Sequence, residues 1–206
     1  MPHLRRFALL SVLLALLGCR ADPPAQPSAS AGPSAPSAPA APAAPAPSSA
    51  LRGGLLASAP AGWTPRATTS AMRVAEYEVG AATGAPATLV VYHFENAGGT
   101  VEQNFERWTG QFTAPDGGPA AARQLAAPDR GGLAIHELAV EGTYVAEVSP
   151  GAEERYHEPG WALRAAVVET PGGPFYVKLV GPAETVRAAE ADWNRYLGSF
   201  AFAEER

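Results

Sequence analysis

Cysteine, lysine and long apolar runs are what this chain has least of. Of its 206 residues one is cysteine, Cys19, and one is lysine, Lys178. A lone cysteine rules out an internal disulfide: in an exported chain it pairs elsewhere, stays a reactive thiol, or is chemically occupied. Basic residues number 15 against 20 acidic ones, a formal charge of −5. Nucleic-acid binding needs a cationic footprint that displaces counterions, so this balance sets that class aside. The sequence has no G-x-S-x-G, and no G-x-x-x-x-G-K-[ST] to cradle phosphates. His93, His136 and His157 stand apart, in no HxH or HExxH spacing. A zinc or iron site needs three or four converging ligands. The expectation is therefore no catalytic constellation, no cofactor and no metal.

The first residues supply an address. Arg5 and Arg6 precede an apolar stretch from Phe7 to Leu17. It is shorter than the ~20 residues a membrane span requires and has the proportions of an export signal. The stretch closes on Leu16-Leu17-Gly18-Cys19, which resembles the lipobox of bacterial lipoproteins. There the small residue gives a peptidase access, and the thiol accepts a diacylglycerol before cleavage. Residues 1–18 are expected to be a signal peptide, with acylated Cys19 holding the chain to the membrane of a bacterial envelope. One acyl chain binds marginally, whereas two or more anchor stably. Position +2 is Arg20, not the aspartate of inner-membrane retention. In a Gram-negative cell this favours the outer membrane, facing the periplasm.

Residues 19–50 follow as a tether. From Asp22 onward the composition is Pro, Ala and Ser with almost no charge and no large apolar side chain, which cannot offset ordering entropy. Prolines at 33, 36, 39, 42 and 45 match the three-residue turn of polyproline II. Some thirty such residues reach on the order of 90 Å when extended.

Residues 51–206 are long enough for one domain with its own core. Period-two patterning predicts strands over 72–79 and 87–94, with Leu89, Val91 and His93 on one face and Val90, Tyr92 and Phe94 on the other. Thr100 with Gln103 forms a capping box, and Val101, Phe105, Trp108 and Phe112 continue at helical spacing up to the Pro115-Asp116-Gly117-Gly118 cluster. A strand pair is expected at 122–126 and 133–140, and a hairpin at 161–169 and 175–180. A last helix entered at Pro182 carries the stripe Val186, Ala189, Trp193, Tyr196 and Leu197, before a short strand at 199–202. Strands, helix, strands, helix predicts an α+β domain, an antiparallel sheet flanked by helices.

Gly62-Trp63, "VEQNFERWTGQF" at 101–112, "AAVVETPGGPFYVKLVGP" at 165–182 and "YLGSF" at 196–200 resemble a group of uncharacterised bacterial lipoproteins. These are similar in layout to the Mog1/PsbP-like α/β/α sandwich. The resemblance covers most of residues 60–202 and rests on turn, capping and stripe residues. It implies a non-enzymatic binding or assembly domain with an envelope protein as a possible partner. No functional residue of Mog1 or PsbP proteins has a match here, so their partners do not carry over.

One segment stands out as a candidate ligand or partner loop. The polar run at 153–158 lies in the long connection between Tyr144 and Trp161. Tyr144, Glu153, Glu154, His157 and Trp161 are its candidate residues. Carboxylates beside a histidine suit acid–base work or cation binding, so the alternative is a hydrolase or metal-dependent enzyme using this loop. A third possibility is an envelope scaffold without a ligand.

Overall fold

A computed structural model of the chain describes residues 48–80, 84–94, 98–125 and 132–202, which all fall within one compact unit, Pro42–Arg206. The expected signal and most of the expected tether lie outside the described residues, as do residues 126–131. The chain begins with β1 (Ser49–Ala50), β2 (Leu55–Ala57), β3 (Trp63–Pro65), β4 (Arg73–Val79) and β5 (Ala87–His93). After α1 (Val101–Thr109) come β6 (Phe112–Thr113), β7 (Ala122–Leu125), β8 (Ile135–Tyr144), β9 (Glu158–Val168) and β10 (Phe175–Pro182). It closes with α2 (Ala183–Ala188), α3 (Glu190–Gly198) and β11 (Ala201–Phe202).

The main sheet is antiparallel in the order β3-β4-β5-β10-β9-β8-β6, with β7 also paired to β8. Two meanders thus meet where β5 pairs with β10, and α1 connects the first to the far edge of the second. A second sheet joins β1, β2 and β11. The domain is α+β, mostly antiparallel sheet with few helices.

Each face of the main sheet buries its own core. Leu89, Val91, Phe175, Val177 and Leu179 pack with Trp193, Tyr196 and Leu197 of α3 and with Leu55 of the small sheet. On the opposite face Leu138, Val140, Leu163, Ala165 and Tyr176 pack with Phe105 and Trp108 of α1. The alternation in β5 therefore serves both layers. Among the described residues, no helix is long and apolar enough to cross a membrane.

α1 starts where its capping box requires. The Gln103 N–H donates to Thr100 Oγ1 at 3.2 Å and the Thr100 N–H to Gln103 Oε1 at 2.9 Å. It stops earlier than its apolar spacing suggests. Gly110 caps it, and Phe112 leaves the helix to pair with Tyr144 as β6. Phe112 is still buried in the same core, so sheet pairing and helical spacing satisfy the same burial. The final helix is likewise divided, because Ala189 (φ −81°, ψ 2°) leaves the α-helical region between α2 and α3. Its expected stripe is buried throughout.

Candidate functional site

Strand alternation decides which β10 side chains meet α1. Phe175, Val177 and Leu179 face α2 and α3, so Tyr176, Lys178 and Val180 face α1. Register sets Tyr92 and Val90 of β5 beside Tyr176 and Lys178, and Val167 and Ala165 of β9 on their other side. Above them Trp108 meets Tyr176 edge-on, with ring centroids 6.3 Å apart. The same indole lies 5.8 Å from Lys178 Nζ, within cation–π range. The ammonium donates to Gln111 Oε1 at 2.8 Å, just past the end of α1. Burial, reinforced by the Arg107 charge, pushes the Lys178 pKa down to about 7. Both the ammonium and the free amine are then present at neutral pH. Arg107 is exposed and donates to Asn104 Oδ1 at 2.6 Å.

An aromatic wall belongs to the same core. Tyr144, near the end of β8, stacks on Trp161 with centroids 5.6 Å apart and planes 8° off parallel. On its other side it stacks on Tyr156 at 5.3 Å and 30°. Burial, aided by the neighbouring Tyr156 and Tyr92 hydroxyls, lifts the Tyr144 pKa to about 12. On β4 the Arg73 guanidinium sits 5.7 Å from the Tyr92 ring centroid and donates to Glu76 Oε2 at 2.7 Å. Burial opposes the Arg73 charge, but Glu76, Tyr92 and Tyr156 outweigh it and hold its pKa above the usual value. Tyr156 therefore acts on both Tyr144 and Arg73, which brings the β8–β9 connection towards β4. Beyond the wall the face opens to solvent, where Thr88 is exposed and Glu76 and Glu78 are half-buried.

Of the residues expected from the sequence, the structure brings two together. Tyr144 and Trp161 form the stack, and Tyr156, from the same polar run, completes it. Glu153, Glu154 and His157 are exposed. The long connection itself is shorter than expected, because β8 runs on to Tyr144 and β9 begins at Glu158. The residues between are tied back by Arg155, which donates to Glu147 Oε1 and to the Val145 carbonyl, each at 3.2 Å. Among the described residues, no group of three His, Cys, Asp or Glu side chains is placed to hold a metal ion. His93 is buried, stacks on Phe175 at 4.2 Å and donates from Nδ1 to the Pro174 carbonyl at 3.2 Å. His136 lies at the surface, 3.8 Å from the Glu169 carboxylate.

Sequence patterning missed Lys178, Arg107, Tyr92 and Arg73 as members of one face. A signal was available for the first. A single lysine inside the apolar run Phe175–Val180, in a strand expected to be covered on both sides, is a charge placed where burial opposes it. The others are joined only by the fold: the order β4-β5-β10 carries Arg73 and Tyr92, and α1, packed on that face, carries Arg107.

The face offers an ammonium whose proton is easily lost, a second cation at the rim, and several aromatic edges and hydroxyls. These groups suit binding through charge, stacking and hydrogen bonds. No known protein family matches the chain, and no curated protein matches it either.

Proposed function

We propose that the chain is a bacterial lipoprotein held at the cell envelope through acylated Cys19. Its domain is then a non-enzymatic binding module of Mog1/PsbP-like layout, presented clear of the membrane on the Pro/Ala/Ser tether. The Leu16-Leu17-Gly18-Cys19 run supports the anchor. The binding role rests on one observation: the Tyr156–Tyr144–Trp161 stack lies on the α1 side of the sheet with Tyr156 exposed at its edge. Stacked aromatics at the edge of a half-open face supply a large apolar contact area at small entropic cost, with hydroxyls to fix orientation.

The test is crosslinking in the native envelope, followed by recovery of the acylated protein. A stoichiometric partner that is lost with Tyr156→Ala, while folding is kept, supports the module. Recovery that does not depend on Tyr156 or Trp161 refutes this face as the binding surface. The hydrolase reading needs Glu153, Glu154 and His157 gathered in a concavity, and their exposure lends it no support.

A further inference from the structure

The connection between β8 and β9 is itself a small hairpin. Glu147 bridges Arg155, the Val148 N–H donates to the Glu154 carbonyl at 3.1 Å, and the Tyr156 N–H to the Ala146 carbonyl at 2.9 Å. At its tip the Gly151 N–H donates to Glu147 Oε2 at 2.9 Å. Cross-strand pairing puts Ala146, Val148 and Tyr156 on one side, and of these only Ala146 is buried. Val148 and Tyr156 are two of the three large apolar side chains exposed among the described residues. One described hydrogen bond joins this hairpin to the rest of the domain: the Val145 N–H donates to the Gln111 carbonyl at 2.8 Å. The Tyr156 ring resting on Tyr144, and Ala146 in the core, are its remaining holds.

Gln111 therefore has two duties. Its backbone carbonyl carries the root of the hairpin, and its side-chain carbonyl accepts from Lys178 at 2.8 Å. We propose that residues 145–157 are a movable arm hinged at Gln111, with Lys178 beneath the hinge as the positioning residue that decides whether Tyr156 stays seated on Tyr144. This rests on the binding-module reading and assigns that face its regulation. An arm that satisfies its own hydrogen bonds loses few of them on swinging out. Moving Gln111 aside admits water to an amine that the seated arm keeps buried, and burial holds the Lys178 pKa at about 7. The open form therefore binds the proton more tightly, so charging Lys178 favours opening. Raising pH from 7 towards 9 seats the arm. Below about 7 the effect is complete, because the closed form is charged as well. The other ionisable groups on this side are Tyr176 on the same strand, Tyr92 on β5, His136 and Tyr144 on β8, Tyr156 on the arm and Glu158 at the start of β9. On β4 Arg73 is held by Glu76 and Glu78 by Arg66; on α1 Arg107 disfavours the ammonium, while Glu102 and Glu106 are exposed.

Hydrogen exchange of the full-length protein in detergent tests this at the Val145 and Tyr156 amides, with Val177 in the central strand β10 as reference. The arm amides are expected to exchange through a shared opening less costly than that of Val177. Their protection, corrected for the chemical exchange rate, should rise by up to about tenfold per unit between pH 7 and 9 and stay flat below 7. Lys178→Met should make arm protection independent of pH. Gln111→Leu keeps the backbone carbonyl but removes the side-chain acceptor, and should lower arm protection about fivefold relative to Val177. Histidine also changes charge near neutrality, so His136→Gln is the control and should leave the profile unchanged. Arm amides that open only together with Val177, or a pH profile that survives Lys178→Met, overturn the proposal. A partner captured through Tyr156 by an arm indifferent to pH would sink the hinge and leave the binding module standing. A pH-dependent arm with no partner lost on Tyr156→Ala would do the reverse.

Discussion

The indole N–H of Trp193 donates to Glu137 Oε2 at 2.9 Å, joining α3 to β8 inside the core. Both residues are buried, Trp193 completely. A hydrogen bond in such a place contributes about 0.5–1.5 kcal/mol, and its loss leaves a buried acceptor short of a partner. Trp193→Phe loses that bond and the volume of the second ring, so a destabilisation of about 2–4 kcal/mol is expected. Urea unfolding of the two proteins would measure it; a change below about 0.5 kcal/mol would show that Glu137 does not depend on this donor.

Lys178 makes stability rise with pH across the neutral range. Its folded pKa is depressed to about 7, while an unfolded lysine titrates near 10.4. Between those values the unfolded chain binds more protons, so raising pH favours the fold. Below about 7 both states are charged and the burial penalty applies in full. Lys178→Met removes the effect. The stability deficit of wild type relative to this variant should therefore shrink as pH goes from 6 to 9, read from melting temperatures at each pH. A deficit that stays constant would mean the amine is solvated.

Tyr144 acts in the opposite direction at alkaline pH. Its folded pKa stands at about 12, above the unfolded value near 10. The neutral phenol is favoured by folding, so this contribution is complete below pH 10 and is lost as pH rises towards 12. Tyr196, lifted well above the ordinary range chiefly by burial, adds to the same loss. Phenolate absorbance should show a late class of tyrosines ionising together with the loss of near-ultraviolet circular dichroism. Tyr144→Phe should shift that loss to higher pH, and no shift would disconnect it from Tyr144.

Much of the fold was legible in the sequence where one local rule acted alone. Thr100 and Gln103 mark the start of α1, and the paired apolar runs around Pro171-Gly172-Gly173 mark the β9–β10 hairpin. Failures came where two rules gave the same burial. Phe112 continues the helical spacing of Phe105 and Trp108, yet pairing with Tyr144 buries it equally well as a strand. Of the small sheet only β11 was expected, as the short strand at 199–202; its pairing with β2 spans almost the whole domain, and strands of two or three residues leave no periodicity. The candidate site was half legible for the same reason. Tyr144, Tyr156 and Trp161 are near in sequence, whereas Tyr92, Lys178 and Arg107 are joined only by the fold.

Gly53 is where the N-terminal segment presses on the main sheet. Its φ of 94° lies in the left-handed region, and a Cβ there would run into the His93 and Phe175 rings. Those rings stack on each other at 4.2 Å and cannot part without disturbing the β5–β10 pairing. Gly53→Ala combines backbone strain with overpacking, for an expected cost of about 2–4 kcal/mol. Pairing it with His93→Ala, which vacates the space, should recover part of that cost in a double-mutant cycle. Purely additive losses would show that the backbone angle alone is responsible.

The lone Cys19 carries the most decisive prediction for where the domain works. If its thiol receives the diacylglycerol, cleavage follows at Gly18 and the mature chain begins with a lipidated residue. Cys19→Ser removes the nucleophile but leaves Arg5, Arg6 and the apolar stretch intact. Export should then start normally while lipidation fails, and the protein should move from the membrane to the soluble fraction or persist as an unprocessed precursor. Intact mass distinguishes the outcomes, since acylation adds the mass of the diacylglycerol and a third chain to a protein shortened by 18 residues. A wild-type chain of unprocessed mass, equally membrane-bound with serine at position 19, would sink the lipoprotein reading. The charge, stacking and pH behaviour predicted for the domain would stand unaltered, because none of it depends on the anchor.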